Sequence, residues 1–238
     1  MNSKRKYFLI ALGVVLLDQS SKLVVKLNMD LHQEIRLLGD FFKIHFIENP
    51  GAAFGVTIAN LFSLVGGEMS EWTGKMILSI FSILAVCAIA VVLYRMANHK
   101  SALPLFIALI LGGALGNIID RTFYGIWFES INAYEGGLLH GRVVDMFYFD
   151  LWKGFVPHWV PLLGGKPMAL WPIFNIADAA ITIGIVVILL FQGRFFKKHD
   201  EKITSSTSDP KPTIQPSPIE PPTESPSSET DSNSGSER

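Results

Sequence analysis

Four stretches of this chain are long and apolar enough to cross the hydrocarbon core of a bilayer, which takes about 20 consecutive, predominantly apolar residues. They are residues 7–25, 76–94, 102–119 and 172–191. The second and third carry no charge. The first holds Asp18 and Lys22 near its far end, and the fourth holds a single acid, Asp178. Lys4, Arg5 and Lys6 before the first stretch would suit a cleaved leader. Its length, its Asp18-Gln19 pair and the lack of a small-x-small cleavage site favour a retained helix instead.

Basic residues close to span ends set orientation. Lys4, Arg5 and Lys6 precede the first span, Arg95 and Lys100 lie in the short second connection, and Arg194, Lys197 and Lys198 follow the fourth. With four spans all three clusters fall on one side. The expected fold is therefore all-α and integral to the membrane, with four transmembrane helices and both termini cytoplasmic. Two longer loops, residues 26–75 and 120–171, face outward. Alternating apolar and polar residues over 35–47 predict a short antiparallel strand pair in the first, a small extracytoplasmic β element that Asn49-Pro50-Gly51 ends. The second loop is rich in aromatics: Trp127, Trp152, Trp159 and Trp171, with Tyr124, Tyr134 and Tyr148. They suit either the membrane–water interface or a packed outer subdomain.

Composition divides the chain. Residues 200–238 are Ser, Pro, Thr and Glu with almost nothing apolar, and cannot bury enough surface to offset the entropy of ordering. This predicts a membrane-embedded domain over 1–199 and a disordered cytoplasmic tail over 200–238. The tail holds eight acids and three bases, a net of −5, so the chain's −1 leaves +4 on the first 199 residues. That surplus is too weak and scattered for nucleic acid. The lone cysteine, Cys87, excludes an internal disulfide and a multi-cysteine metal site, and its apolar surroundings predict a buried filler.

An ionisable residue inside a span is costly and marks function by default. Four acids lie in or next to the outer half of the bundle: Asp18, Asp120, Asp145 and Asp178. If Pro172 opens the last helix, Asp178 lies about 9 Å below its end, with Asn175 on the same face. Alone, this pair reads equally as glue between helices. Asp145 ends Arg142-Val143-Val144-Asp145 among apolar residues, where desolvation would raise its pKa; alone, it reads equally as a loop carboxylate paired with Arg142. Asn117, Asp120 and Arg121 cluster at i, i+3 and i+4 beyond Gly112 and Gly116, a small-xxx-small packing face. Asp18 and Lys22, at i and i+4, favour a structural ion pair over catalysis. Glu48-Asn49-Pro50-Gly51-Ala52-Ala53-Phe54-Gly55 could lie against an extended peptide or be an ordinary turn. His-Glu-x-x-His, the Walker loop and Gly-x-Ser-x-Gly are all missing. A proton transporter or channel and a non-enzymatic assembly protein remain as alternatives.

Five ordered blocks resemble the motifs of lipoprotein signal peptidases: Asp18 to Lys22, Asn49 to Gly55, Gly112 to Arg121, Val143 to Asp145, and Phe174 to Asp178. The resemblance implies an aspartyl endopeptidase, signal peptidase II, in the bacterial cytoplasmic (inner) membrane with its site at the outer face. It would cleave diacylglyceryl-modified prolipoproteins just before the lipidated cysteine. It further implies a catalytic pair, Asp145 and Asp178, with Asn49, Asn117, Arg121 and Asn175 supporting the site or binding substrate. Asp18, Lys22 and Asp120 would hold the site in shape. No metal or organic cofactor is implied. Partners would be prolipoproteins, membrane lipids and globomycin-type inhibitors, with the protein a monomer. The chain departs from the usual member in a long gap between Arg121 and Val143, a long stretch from Asp150 to Trp171, and the acidic tail.

Overall fold

The computed structural model describes residues 3–51, 57–63, 66–151, 153–160, 164–165, 167–169 and 172–205. Ala52 to Gly55, Trp152, Trp171 and the tail beyond 205 lie outside the described residues. The chain divides into two units, Met1–Lys198 and His199–Arg238. Of the second, residues 199–205 are described and are helical.

The elements run α1 (Ser3–Asn28), β1 (Glu34–Leu38), β2 (Phe42–Asn49), α2 (Ile58–Ser63), α3 (Glu71–Met96) and α4 (Leu103–Ile119). A π-turn follows (Asp120–Tyr124), then α5 (Gly125–Trp127), β3 (Val143–Phe149), β4 (Lys153–Phe155), β5 (Pro167–Ala169) and α6 (Ile176–Ser205). Among the described residues, four helices are long and apolar enough to cross a membrane: Ser3–Asn28, Glu71–Met96, Leu103–Trp127 and Ile176–Phe195. These are the four predicted spans, extended by a turn or more at several ends. Ser70 caps α3, its hydroxyl accepting from Thr73 N at 3.1 Å, which moves the start of that helix back to Glu71.

Half of α4's apolar window is buried, against 22% or less for the other three spans, so α4 is the central helix. Its glycines explain why. A methyl group on Gly112 would lie 2.6 Å from Ala11 O, and one on Gly116 would lie 2.5 Å from Asp18 Oδ2. Gly113 is pressed in the same way against Ala177 of α6. Two neighbouring backbones thus approach α4 more closely than any larger residue allows. The outward faces of α1, α3 and α6 are bare: Leu17, Phe81 and Leu190 are among many exposed apolar side chains. In a soluble protein such a surface would aggregate; in lipid it is solvated. Cys87 lies on this surface and is exposed rather than buried, because α3 packs one face only and Cys87 is on the other.

The predicted strand pair is present as β1–β2, antiparallel, with Ile35 opposite Ile44. It gains a third strand, β3, antiparallel to β2, with Ile47 opposite Asp145 and Asn49 opposite Val143. The register slips between Ile44 and Ile47, a bulge next to the position of Asp145. The sheet covers a second core of Val25, Phe46, Tyr124, Val144 and Met146, which seats it on α1 and the π-turn.

Candidate functional site

Asp145 is a strand residue, not a loop carboxylate. Arg142 does not neutralise it either: its guanidinium lies 4.4 Å over the Tyr134 ring. β3 is buried on both faces at Val144 and Asp145, which are 0% and 2% exposed. The free edge of β3 takes up Phe174, whose N–H and C=O exchange hydrogen bonds with Phe147 at 3.0 and 2.8 Å.

That pairing corrects the predicted start of the last helix. Residue 174 is held extended against β3, so α6 cannot begin at Pro172 and begins at Ile176. Asn175 is its N-cap: Oδ1 accepts from Asp178 N at 2.9 Å, and Asp178 Oδ2 accepts from Asn175 N at 3.3 Å. This is a reciprocal capping arrangement with Asp in the third helical position. Asp178 therefore sits in the first turn of α6, level with the sheet, rather than a turn and a half deeper.

The same Asn175 joins the two acids. Its Nδ2 donates to Asp145 Oδ1 at 2.6 Å and lies 3.2 Å from both Asn117 Oδ1 and Val144 O. Asn49, the last residue of β2, donates Nδ2 to Asp145 Oδ2 at 3.1 Å, while its Oδ1 accepts from Gly51 N at 2.9 Å. Gly51 adopts φ 92°, which a side chain would strain, and a Cβ there would crowd Leu78. On the other side, Asn117 donates Nδ2 to Asp178 Oδ1 at 2.8 Å. Every hydrogen-bond partner described for Asp145 and Asp178 is thus an uncharged amide. Burial first, and the charge of Asp178 second, push the Asp145 carboxyl up to about 7, against the opposing pull of Asn49, Lys22 and Asn175.

Asp18 and Asp120 have the opposite environment. Lys22 Nζ lies 2.8 Å from Asp18 Oδ2, 2.8 Å from Asp120 Oδ2 and 2.9 Å from Asn117 Oδ1, and all three residues of the ionic cluster are 0% exposed. Asp18 Oδ1 accepts from Ala177 N, and Asp120 Oδ2 accepts from Val144 N. The cluster therefore ties α1 to α6 and α4 to β3. Asn117 belongs to both groups, because Lys22 holds its oxygen and so turns its NH2 toward Asp178.

Arg121 interacts electrostatically with Asp178, Asp120 and Asp145, and its buried Nη1 has no hydrogen-bond partner among the described residues. Beside it a cavity of about 210 Å³ opens between α3, α4 and α6, with Phe81, Ala85 and Ile181 on its apolar walls and Asn117 and Arg121 at its polar end. Among the described residues, no group of three His, Cys, Asp or Glu is placed to hold a metal ion.

Every predicted site residue from Asp18 to Asp178 thus falls in one connected network at one end of the bundle. Sequence reasoning assigned nothing to Gln19 or Tyr124. Gln19 Nε2 donates to Asp120 Oδ1 at 2.8 Å, and its Oε1 accepts from Tyr124 Oη at 3.1 Å. Of the two settings the sequence offers Tyr124, the membrane–water interface or a packed outer subdomain, its 0% exposure fits a packed one. Its spacing of four residues from Asp120 was the available signal. Lys26, one turn beyond Lys22, forms a buried ion pair with Glu48 that was likewise unassigned.

The sequence profile of the family described as signal peptidase (SPase) II matches residues 10–194. A lipoprotein signal peptidase of Porphyromonas gingivalis is 38% identical over 196 residues, covering 76% of this chain and 80% of that protein. Those of Amoebophilus asiaticus and Chlorobium luteolum are 36% and 35% identical, covering 78% and 83% of this chain and 76% and 96% of their own lengths. A bacterial membrane enzyme solved by the in meso method at 1.9 Å resolution aligns with a TM-score of 0.52 at 27% identity, over 78% of this chain and 90% of that one. A second, at 2.3 Å, aligns at 0.50 and 23% identity and shares the fold. Four apolar spanning helices, a small sheet and a match over most of its length place this multi-pass bacterial membrane protease in the signal peptidase II family.

Proposed function

We propose that the protein is an aspartic endopeptidase that removes signal peptides from diacylglyceryl-modified prolipoproteins, cutting just before the lipidated cysteine. The observation that carries this reading is the bridging of Asp145 and Asp178 by Asn175, with neutral amides as their described hydrogen-bond partners. Two carboxyls bridged by one amide, with no cation bonded to either among the described residues, favour a single shared proton near neutral pH. The ionised member takes a proton from a water, whose oxygen attacks the scissile carbonyl carbon. The protonated member donates to the carbonyl oxygen. Collapse of the tetrahedral species breaks the C–N bond, and the departing amine takes a proton from the pair. The two apparent pKa values belong to the pair, so neither Asp alone is the acid or the base. Asn49, Asn117 and Asn175 hold the carboxylates. Arg121, whose buried Nη1 has no partner among the described residues, supplies a fixed positive charge for a substrate carbonyl. Asp18, Lys22 and Asp120 brace the site. The chemistry requires no metal or organic cofactor.

Charge and composition support the topology, and the resemblance to lipoprotein signal peptidases supports the inhibitor class. The basic clusters at 4–6, 95–100 and 194–198 favour cytoplasmic termini in the inner membrane, with the acids at the outer face. Residues 1–199 form the catalytic domain, and the acidic 200–238 segment takes no part in the chemistry. The protein works as a monomer among membrane lipids, which take up the substrate's acyl chains, and it binds globomycin-type cyclic peptides.

The test is cleavage of a diacylglyceryl peptide by purified protein in detergent. Asp145→Asn and Asp178→Asn should each lower turnover by about 10³-fold or more while thermal unfolding stays cooperative. Normal processing by either variant removes the dyad.

A further inference from the structure

The geometry points to Gln19, oriented by Tyr124, as a positioning residue that holds the two candidate catalytic acids at their working separation. The inference rests on the proposed Asp145–Asp178 chemistry.

Asp18 and Asp120 bring two carboxylates against one ammonium, that of Lys22, and the three side chains are 0% exposed. Lys22 has three N–H bonds, and all three are committed, to Asp18, Asp120 and Asn117. The excess negative charge must be met by neutral donors, because an uncompensated carboxylate in this setting is expensive. Gln19 supplies them. Its Nε2 lies 2.8 Å from Asp120 Oδ1, 3.2 Å from Asp18 Oδ2 and 3.1 Å from Gly116 O. A single NH2 thereby serves both carboxylates and an α4 carbonyl.

An amide can present either end to this cluster, and the wrong end would add a third acceptor. Tyr124 decides between them. Its buried hydroxyl donates to Gln19 Oε1 at 3.1 Å, which leaves Nε2 for Asp120. Tyr124 lies on the π-turn with Asp120, where the widened turn is a local departure of the kind often found at functional sites.

From Asp120 the effect reaches both acids. Gln19 holds Oδ1, which leaves Oδ2 for Lys22 and for Val144 N at 3.2 Å. Val144 immediately precedes Asp145, so this bond fixes the strand where Asp145 leaves it. Lys22, shared through Asp120, holds Asn117 Oδ1 and so aims Asn117 Nδ2 at Asp178. Gln19 itself has no described contact with Asp145 or Asp178. Its contribution is geometric, and a displacement of about 1 Å at a reacting pair is enough to cost about 100-fold in rate.

The experiment compares purified full-length Gln19→Met, Gln19→Glu and Tyr124→Phe with the parent, using a diacylglyceryl peptide across a pH series. Gln19→Met keeps the length and removes the donors; its kcat should fall about 10- to 100-fold with KM changed less than about threefold. Tyr124→Phe keeps the packing and removes only the orienting donor, and should show a smaller fall of about 10-fold, again in kcat. Gln19→Glu can replace the lost donor only when the introduced carboxyl carries a proton, so the ratio of its activity to the parent's should stay near parental on the acidic side and fall as pH rises. The titratable and charged groups around that position are Asp18 and Lys22 on α1 and Asp120 and Tyr124 on the π-turn, with Arg121, Asp145 and Asp178 next beyond them. A role in folding alone would lower activity evenly with pH and would not give this profile. Parental kcat in Gln19→Met or Tyr124→Phe, or a pH-independent loss in Gln19→Glu, overturns the inference. Should Asp145→Asn or Asp178→Asn stay active in the same assay, it is the dyad reading that fails instead.

Discussion

Asn175 donates its side-chain NH2 to Asp145 Oδ1 at 2.6 Å. It simultaneously caps α6 through Asp178 N at 2.9 Å. One amide thus begins a helix and links a strand carboxylate to a helix carboxylate. Asn175→Ala should therefore do two things at once. Loss of the cap should lower stability by about 1 kcal/mol, readable as a lower thermal midpoint in detergent. Loss of the bridge should lower kcat by more than the stability change accounts for. Unchanged kcat with a lowered midpoint would leave Asn175 a cap and nothing more.

Asp145 sets an expectation for pH. Its carboxyl is pushed up to about 7, chiefly by burial and then by Asp178, above an unfolded value of about 3.9. The folded state binds this proton more tightly, so the contribution to stability is present in full below about pH 4 and is lost as pH rises through about 7. Asp145→Asn should flatten the stability profile over that interval. Under the proposed shared-proton mechanism, activity should decline on the alkaline side of about pH 7. In Asp178→Asn the neighbouring charge is gone, and Asp145 should titrate lower. A pH series of unfolding midpoints and initial rates checks both.

Lys22 sits between two buried carboxylates at 2.8 Å from each. Lys22→Met would strand both acids without a cation, which costs about 3–5 kcal/mol for a broken buried ion pair. The expected outcome is loss of cooperative unfolding or a large fall in its midpoint. A triple variant, Asp18→Asn, Lys22→Met and Asp120→Asn, removes the charges together and should recover part of that stability, measured in the same detergent.

Gly116 leaves no room for a side chain, since a Cβ there would meet Asp18 Oδ2 at 2.5 Å. Gly116→Leu should push α1 off α4, lowering the thermal midpoint by an amount equivalent to about 1–3 kcal/mol or more. Gly13→Leu, where a Cβ would have nothing within 4 Å, is the control and should be close to neutral.

Much of this protein was legible in its sequence, because the features concerned are local. Hydrophobic length alone located the four spans, and the alternation over 35–47 located β1 and β2. Asp18 and Lys22, one helical turn apart, had to face each other on any helix, and they do. The position of α6 was not legible in the same way. Pro172 is a sound helix opener by local rules, but Phe174 is claimed by the edge of β3, a partner nearly 30 residues away, and the helix starts only after it. Cys87 shows the same limit: its apolar neighbours suggest burial, yet which face of α3 meets protein and which meets lipid is a property of the bundle.

The resemblance implied a division among the four acids, and the tertiary structure supplies its physical basis. In sequence, local spacing gave Lys22 to Asp18, while nothing local said which of Asp120, Asp145 and Asp178 shared that cation. Folding brings Lys22 against Asp18 and Asp120 and leaves Asp145 and Asp178 among amides. Electrostatic energy depends on distances between groups that are about 30 to 160 residues apart along the chain, and no periodicity records those distances. Residue type and local spacing determined that the chain would bury acids in a membrane bundle; packing determined which of them keep a cation and which lie among neutral amides.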